Sequence, residues 1–456
     1  MQRHFAHCAT GFAIALKRMV FLIALALCTA IFPHGVNAQA SNPLPATVTA
    51  IQLPSLSLGV VILPNGKALN LSVGAGSAAF RGKNDLPGRI WLMTDRGPNI
   101  DCNESRRFLG LDPEQACGGD RNGRIYPLPG FAPSIYAADI GSDNTARYNV
   151  FIPLKGRSGK PVSGRPPLAT GRYEPALGVD GKSLPPDPSG IDPEGLVRLA
   201  DGSFWIAEEL GPSLLHVAAD GTILKRLVPQ GTQADFKDAD YDIVPSLPAI
   251  LRQRAPNRGF EGLALSPDEK FLYVMTQGAL ANPDIDTSRR SRHLRIWKVA
   301  RETGEVVLQF LYATDMASTY TSENDGRERT QARVIVSEIS AIADDHLLVL
   351  ERIERHMRLY SVKLQDENRI PRLFENPDYG PGLEWLETER LAVRGISPVS
   401  KNLVIDSDQV SGLPPRAEGM AIISPTEILI INDNDFGIDG VRTNLFRVTL
   451  TEPLIR

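Results

Sequence analysis

Asp192-Pro193-Glu194-Gly195-Leu196-Val197, a turn at Asp201-Gly202, then Phe204-Trp205-Ile206-Ala207-Glu208-Glu209 make one short unit, and the unit recurs. Gly259-Phe260-Glu261-Gly262-Leu263-Ala264 passes through Pro267-Asp268 to Leu272-Tyr273-Val274-Met275-Thr276-Gln277. Val336-Ser337-Glu338-Ile339-Ser340-Ala341 passes near Asp344-Asp345 to Leu347-Leu348-Val349-Leu350-Glu351. Arg416-Ala417-Glu418-Gly419-Met420-Ala421 passes Pro425 to Ile428-Leu429-Ile430-Ile431-Asn432-Asp433. A further alternating strand follows most copies, as at residues 214–217, 294–297 and 445–448.

Apolar runs this short, closed by turn residues, read as strands, and the second run of each unit is buried on both faces. A sheet of such strands cannot cover its own faces, so copies must stack. The pattern predicts an all-β chain, a β-propeller of about six blades, each unit opening with a glutamate on its innermost strand. A sandwich with coincidental strand-edge glutamates is the competing arrangement. Upstream, residues 90–95 resemble another second strand ending in an acid. Residues 155–193, 281–292 and 314–330 read as long insertions, the first lying over one face.

Ahead of the repeats, residues 1–18 hold Arg3, Lys17 and Arg18 and no acid, and a compact apolar run fills 19–32. Small residues then fit signal-peptidase cleavage after Ala38 or Ala40, so residues 1–40 are expected to be a signal peptide and 41–456 one domain. An uncut N-terminal anchor is the alternative. The expected location is periplasmic or secreted, with no membrane span after cleavage. The chain carries −4 and its first forty residues contribute +3, leaving the remainder near −7. That charge gives no footprint for nucleic acid and favours cations as partners. Beyond the leader only Cys102 and Cys117 remain, and in an oxidising compartment they most simply form a disulfide. Closing so short a loop stabilises by about 3 kcal/mol.

Blades related by rotation would bring equivalent carboxylates into a ring. Glu194, Glu261, Glu338 and Glu418 open inner strands, while Asp95, Glu208, Glu209, Glu351 and Asp433 end second strands, with Asp435 close behind. Like charges so gathered need cations or protons between them. Calcium suits an exported cluster of oxygens, and Glu194, Glu338, Glu418, Asp433 and Asp435 are its candidate ligands. Arg96, Arg258, Arg352 and Arg416 accompany the acids, either holding blade ends together or cradling an anion. The chain lacks the Gly-x-Ser-x-Gly, His-Glu-x-x-His and P-loop patterns. A metal-activated water acting on a phosphate ester is the hydrolytic chemistry that remains. The candidate catalytic lining is Asp95, Arg96, Glu208, Glu209, Glu261, Glu351 and Arg352.

Asp95-Arg96-Gly97-Pro98-Asn99, Asp192-Pro193-Glu194-Gly195, Glu208-Glu209-Leu210-Gly211-Pro212, the Glu261-Gly262 segment, Ser337-Glu338-Ile339 with Leu350-Glu351-Arg352, and Glu418-Gly419 with Asn432-Asp433-Asn434-Asp435-Phe436-Gly437 resemble the phytase-like domain family, described as having esterase-like activity of phytase. Leu210 stands where such sequences usually carry an aromatic. The resemblance implies an exported propeller with calcium. It leaves two functions open: hydrolysis of a small-molecule ester, or non-catalytic binding of a glycan or protein by a calcium-stabilised propeller.

Overall fold

The computed structural model describes residues 43–169, 171–320 and 330–455. The expected signal peptide lies outside them, as does much of the insertion expected at 314–330. Five antiparallel sheets dominate, and each runs outward from an inner strand. The first is Ala78–Phe80, Arg89–Met93, Ser134–Ile140 and Ala146–Pro153; the second is Pro193–Arg198, Phe204–Glu208, Ser213–Val217 and Ile223–Pro229, with Asp242–Leu247 added in parallel. The third is Phe260–Leu265, Phe271–Thr276, His293–Ala300 and Val306–Ala313; the fourth is Ile335–Ala343, His346–Ile353, His356–Lys363 and Lys401–Asp406. The fifth is Ala417–Ser424, Glu427–Asn432 and Leu445–Leu450, and its outer strand, Ala46–Ile51, comes from the other end of the chain.

Packing follows from the two-residue period of a strand. In the second sheet, Phe204 and Ile206 pack with Trp91 and Met93 of the first. Trp205 and Ala207, on the opposite face, pack with Leu263 and Trp297 of the third. The same alternation sets Tyr273 and Met275 against Leu347 and Val349, and Leu348 and Leu350 against Ile428 and Ile430. Leu429 and Ile431 then meet Ile90 and Leu92, so the fifth sheet packs back on the first. Each sheet is covered on both faces, which is why the second strands are apolar throughout.

Close approach of the inner strands explains the glycine in Glu-Gly. A Cβ on Gly195 would lie 2.7 Å from the Glu261 carbonyl oxygen, and one on Gly419 would lie 2.8 Å from Ala78 C and Ala79 N.

Against the expectation of about six units, the described residues form five sheets of four or more strands. The remaining strands make a hairpin, Ser57–Ile62 with Ala68–Ser72, and a three-stranded sheet of Ile100–Asp101, Arg124–Tyr126 and Ala176–Gly178. These pack on a separate small core with Phe108, Leu109 and Leu177, stapled by the Cys102–Cys117 disulfide. Residues 281–292 hold a short helix, Ile285–Arg290, rather than loop alone. No helix among the described residues is long and apolar enough to cross a membrane.

Candidate functional site: an acidic mouth at the inner strands

The repeated glutamates sit where the inner strands break register. Pro193 pairs with Glu208 and Gly195 with Ala207, so Glu194 is the extra residue of a β-bulge. Ala417 pairs with Asn432 and Gly419 with Ile431, which leaves Glu418 in the same position. Glu261 and Gly262 occupy the corresponding shift between Phe260 and Leu263. A bulge re-aims one side chain out of the ladder, and here it directs the carboxylate away from the sheet. Glu209, Gln277 and Asp433 each follow the last residue of the neighbouring second strand, while Arg352 lies within its own, His346–Ile353. Asp95 comes two residues after Arg89–Met93.

Asp95, Asp192 and Glu194 each bring a carboxylate oxygen within 4.8 Å of the other two. Arg96, almost fully buried, forms ion pairs with Asp192 and with Glu209 (3.1 Å), and donates to Asn257 at 2.6 Å. Arg352 pairs with Glu418 and donates to Ser337 at 2.8 Å; Arg416 pairs with Asp435. Gln277 donates to Oε1 of Glu261 at 2.6 Å. Glu174, which accepts from the Asn257 amide at 2.9 Å, and Tyr126 add to the surroundings of Arg96.

Acids outnumber bases in this group. Burial, then Asp192, pushes Asp95 well above the usual carboxylate range. Burial, then Asp192 and Glu261, does the same to Glu194. Glu209 is pushed up to about 8 by burial and then by Asp192. Glu261 and Asp433 rise for the same first reason, followed by Glu209 and by Asp435 respectively. Among the described residues, Oε1 of Glu209, Oε2 of Glu261, Oδ1 of Asp433 and Oδ1 of Asn434 are buried with no hydrogen-bond partner. Orphaned oxygens and raised carboxyls together mark a group of acids that protons or a hard, oxygen-seeking cation would neutralise.

Three of the expected site residues lie elsewhere. Glu208 is fully buried inside the second sheet, where it pairs with Arg226 at 2.6 Å. It also accepts from the amides of Asp192, Leu210 and Gly211 and from the Ser213 hydroxyl. Glu351 is likewise buried, accepting from the hydroxyls of Tyr312 and Tyr320 (both 2.7 Å), the Asp315 amide and Lys401. Glu338 is one residue out of frame. In the fourth sheet the bulge falls between Val336 and Glu338, so Ser337 takes the position of Glu194 and Glu418. Successive strand residues point to opposite sides, and Glu338 instead accepts from the Ile339 amide at 2.9 Å and the Leu263 amide at 3.2 Å.

Sequence reading missed Asp192, Asn257, Gln277, Ser337, Tyr126 and Glu174 as parts of this mouth. Gln277 and Ser337 occupy repeat positions equivalent to acids, so the frame alone could have found them. Glu174 comes from the 155–193 insertion and Tyr126 from the small three-stranded sheet, and neither carries such a signal.

Residues 73–436 match the family described as Phytase-like: Esterase-like activity of phytase. A relative from Arthroderma benhamiae, titled "Uncharacterized secreted protein", is 26% identical over 301 residues, covering 62% of this chain and 58% of its own length. The chain thus matches less than two thirds of that relative. Similar solved structures include regucalcin from Agrobacterium tumefaciens, titled a calcium-binding protein, at 12% identity, 91% and 99% coverage of the two chains and a TM-score of 0.31. Virginiamycin B lyase from Staphylococcus aureus has 11% identity, 89% and 100% coverage and a TM-score of 0.29.

Proposed function

The chain belongs to the Phytase-like family, and from that premise we propose an exported, calcium-assisted hydrolase of phosphate esters on a five-bladed propeller. One observation carries the reading: buried carboxylates at the mouth exceed their arginine partners and leave oxygens unbonded. Asp95, Asp192 and Glu194 are the residues that would hold calcium, since their oxygens already converge. Bound there, calcium would polarise a phosphoryl oxygen and acidify a coordinated water. The cyclic packing of five sheets supports the blade number. The disulfide and the secreted relative support export, to the periplasm or beyond.

The chain's own residues have separable tasks. Arg96 fixes Asp192 and Glu209 against each other, so the acidic trio is held before substrate arrives. Oε2 of Glu261 has no hydrogen-bond partner, and once a bound cation had driven off its proton it would accept one from a water entering the mouth. Its other oxygen is anchored by Gln277, which preserves its aim. Preorganised groups of this kind stabilise charge as it develops in the transition state.

A binding propeller is the second reading, favoured by the commitment of Arg96, Arg352 and Arg416 to protein carboxylates. Purified protein should be assayed on phytate, on a simple phosphate ester and on a carboxylic ester, with calcium and with chelator. Calcium-dependent turnover of the phosphate substrates, lost in Asp95→Asn, is the expected result. Absence of turnover in both conditions, with calcium still raising Tm, would establish the binding reading instead.

A further inference from the structure

Arg258 differs from the other arginines of the mouth. Its Nη1 donates to the Asn257 carbonyl at 2.6 Å and to Oε1 of Gln277. Among the described residues its Nε and Nη2 make no hydrogen bond, and it enters no ion pair, although Glu209 and Glu261 are near enough to act on its charge. The side chain is partly exposed. Its stem is fixed by packing over Gly278, where a Cβ would come within 3.2 Å of Arg258 Cδ. Burial pulls its pKa below the usual arginine value, as expected of a guanidinium lacking a close counter-ion.

A partly buried cation without a bonded anion keeps its open Nε–Nη2 edge for solvent or a ligand. A ligand can supply that anion, and the Nε–Nη2 edge of a guanidinium matches two oxygens of one group. We propose that Arg258 is the substrate-anion residue of this mouth, holding two oxygens of a phosphoryl group on its Nε–Nη2 edge. The assignment rests on the phosphate-ester reading above and gives it a binding residue. A phosphoryl dianion is expected over a carboxylate, because two of its oxygens can meet the guanidinium fork while the others remain for a cation.

Titration calorimetry with dilute inorganic phosphate, in the presence of calcium, tests this on the full chain, its Arg258→Gln variant and its Arg258→Lys variant. Acetate serves as the carboxylate arm, and KM for a phosphate ester separates ester from free phosphate. Arg258→Gln should weaken phosphate binding by about tenfold or more, the scale of a lost charge-assisted pair. Arg258→Lys should fall between, because it keeps the charge and loses the fork. The calcium-induced rise in Tm should be the same in all three proteins. Equal phosphate affinity in folded Arg258→Gln and the parent, no phosphate binding by the parent, or tighter acetate than phosphate would each overturn the assignment. If Arg258→Gln does not fold, unchanged affinity in Arg258→Lys would do so. Arg258-dependent phosphate binding without turnover would remove the hydrolase reading alone, whereas turnover with an unchanged KM in Arg258→Gln would remove this one alone.

Discussion

Raising the pH from 5 to 8 under chelating conditions should destabilise the folded chain. Glu209 is 1% exposed, and its carboxyl is pushed up to about 8 by burial and by Asp192. In an unfolded chain a glutamate titrates near about 4.3. A folded value above the unfolded one means that the folded chain keeps a proton the unfolded chain has released. The associated stability is therefore complete below the unfolded pKa and is lost as pH rises through the folded pKa. Between pH 5 and pH 8 the loss from Glu209 alone is about 3.5 kcal/mol. Asp95, Glu194, Glu261 and Asp433 shift in the same direction, so they steepen the trend without reversing it. Denaturant unfolding at the two pH values, with chelator, measures the difference. Glu209→Gln should flatten it, and calcium at pH 8 should restore stability by binding only the folded mouth. A chelated protein as stable at pH 8 as at pH 5, with Glu209→Gln making no difference, would refute the reasoning.

Further substitutions probe two of the acids that lie away from the mouth. Burial holds the Glu338 carboxyl well above its usual range despite the amides around it, so Glu338→Gln should cost under about 1 kcal/mol while Glu338→Leu, which strips the acceptor from two amides, should cost about 1–3 kcal/mol for each. Denaturation midpoints distinguish these outcomes, and a glutamine as damaging as the leucine would count against a protonated Glu338. Arg226→Met should cost about 3–5 kcal/mol by leaving Glu208 buried and unpaired. Adding Glu208→Gln should recover part of that loss in a double-mutant cycle.

Legibility in the sequence followed the strength of the local constraint. Second strands such as Leu347-Leu348-Val349-Leu350 declared themselves because both faces are covered, which leaves no room for polar residues. The Glu-Gly frame was readable because inner strands pack too closely for a Cβ. The position of a bulge was not. It shifts the frame by one residue, and one residue decides whether a side chain enters the mouth, as Glu194 does, or the region between strands, as Glu338 does. Adjacent acids were ambiguous for the same reason: in Glu208-Glu209 only the second reaches the mouth. Arg226, which neutralises Glu208, lies two strands away, and such pairings are written in tertiary distance rather than in spacing.

The strand Ala46–Ile51 pairs along its length with Leu445–Leu450, joining segments nearly the whole described chain apart. Local hairpins can form while the polypeptide is still emerging, but this contact must wait for both partners, and so must the core between the fifth sheet and the first. The most non-local step is thus also the last, which places it among the slow events of folding. Until it occurs, Leu445–Leu450 has an open hydrogen-bonding edge capable of recruiting a strand from another molecule. Proteolysis that removed residues 46–51 would recreate that edge in a finished protein. Retention of this segment therefore covers that edge as well as closing the last sheet.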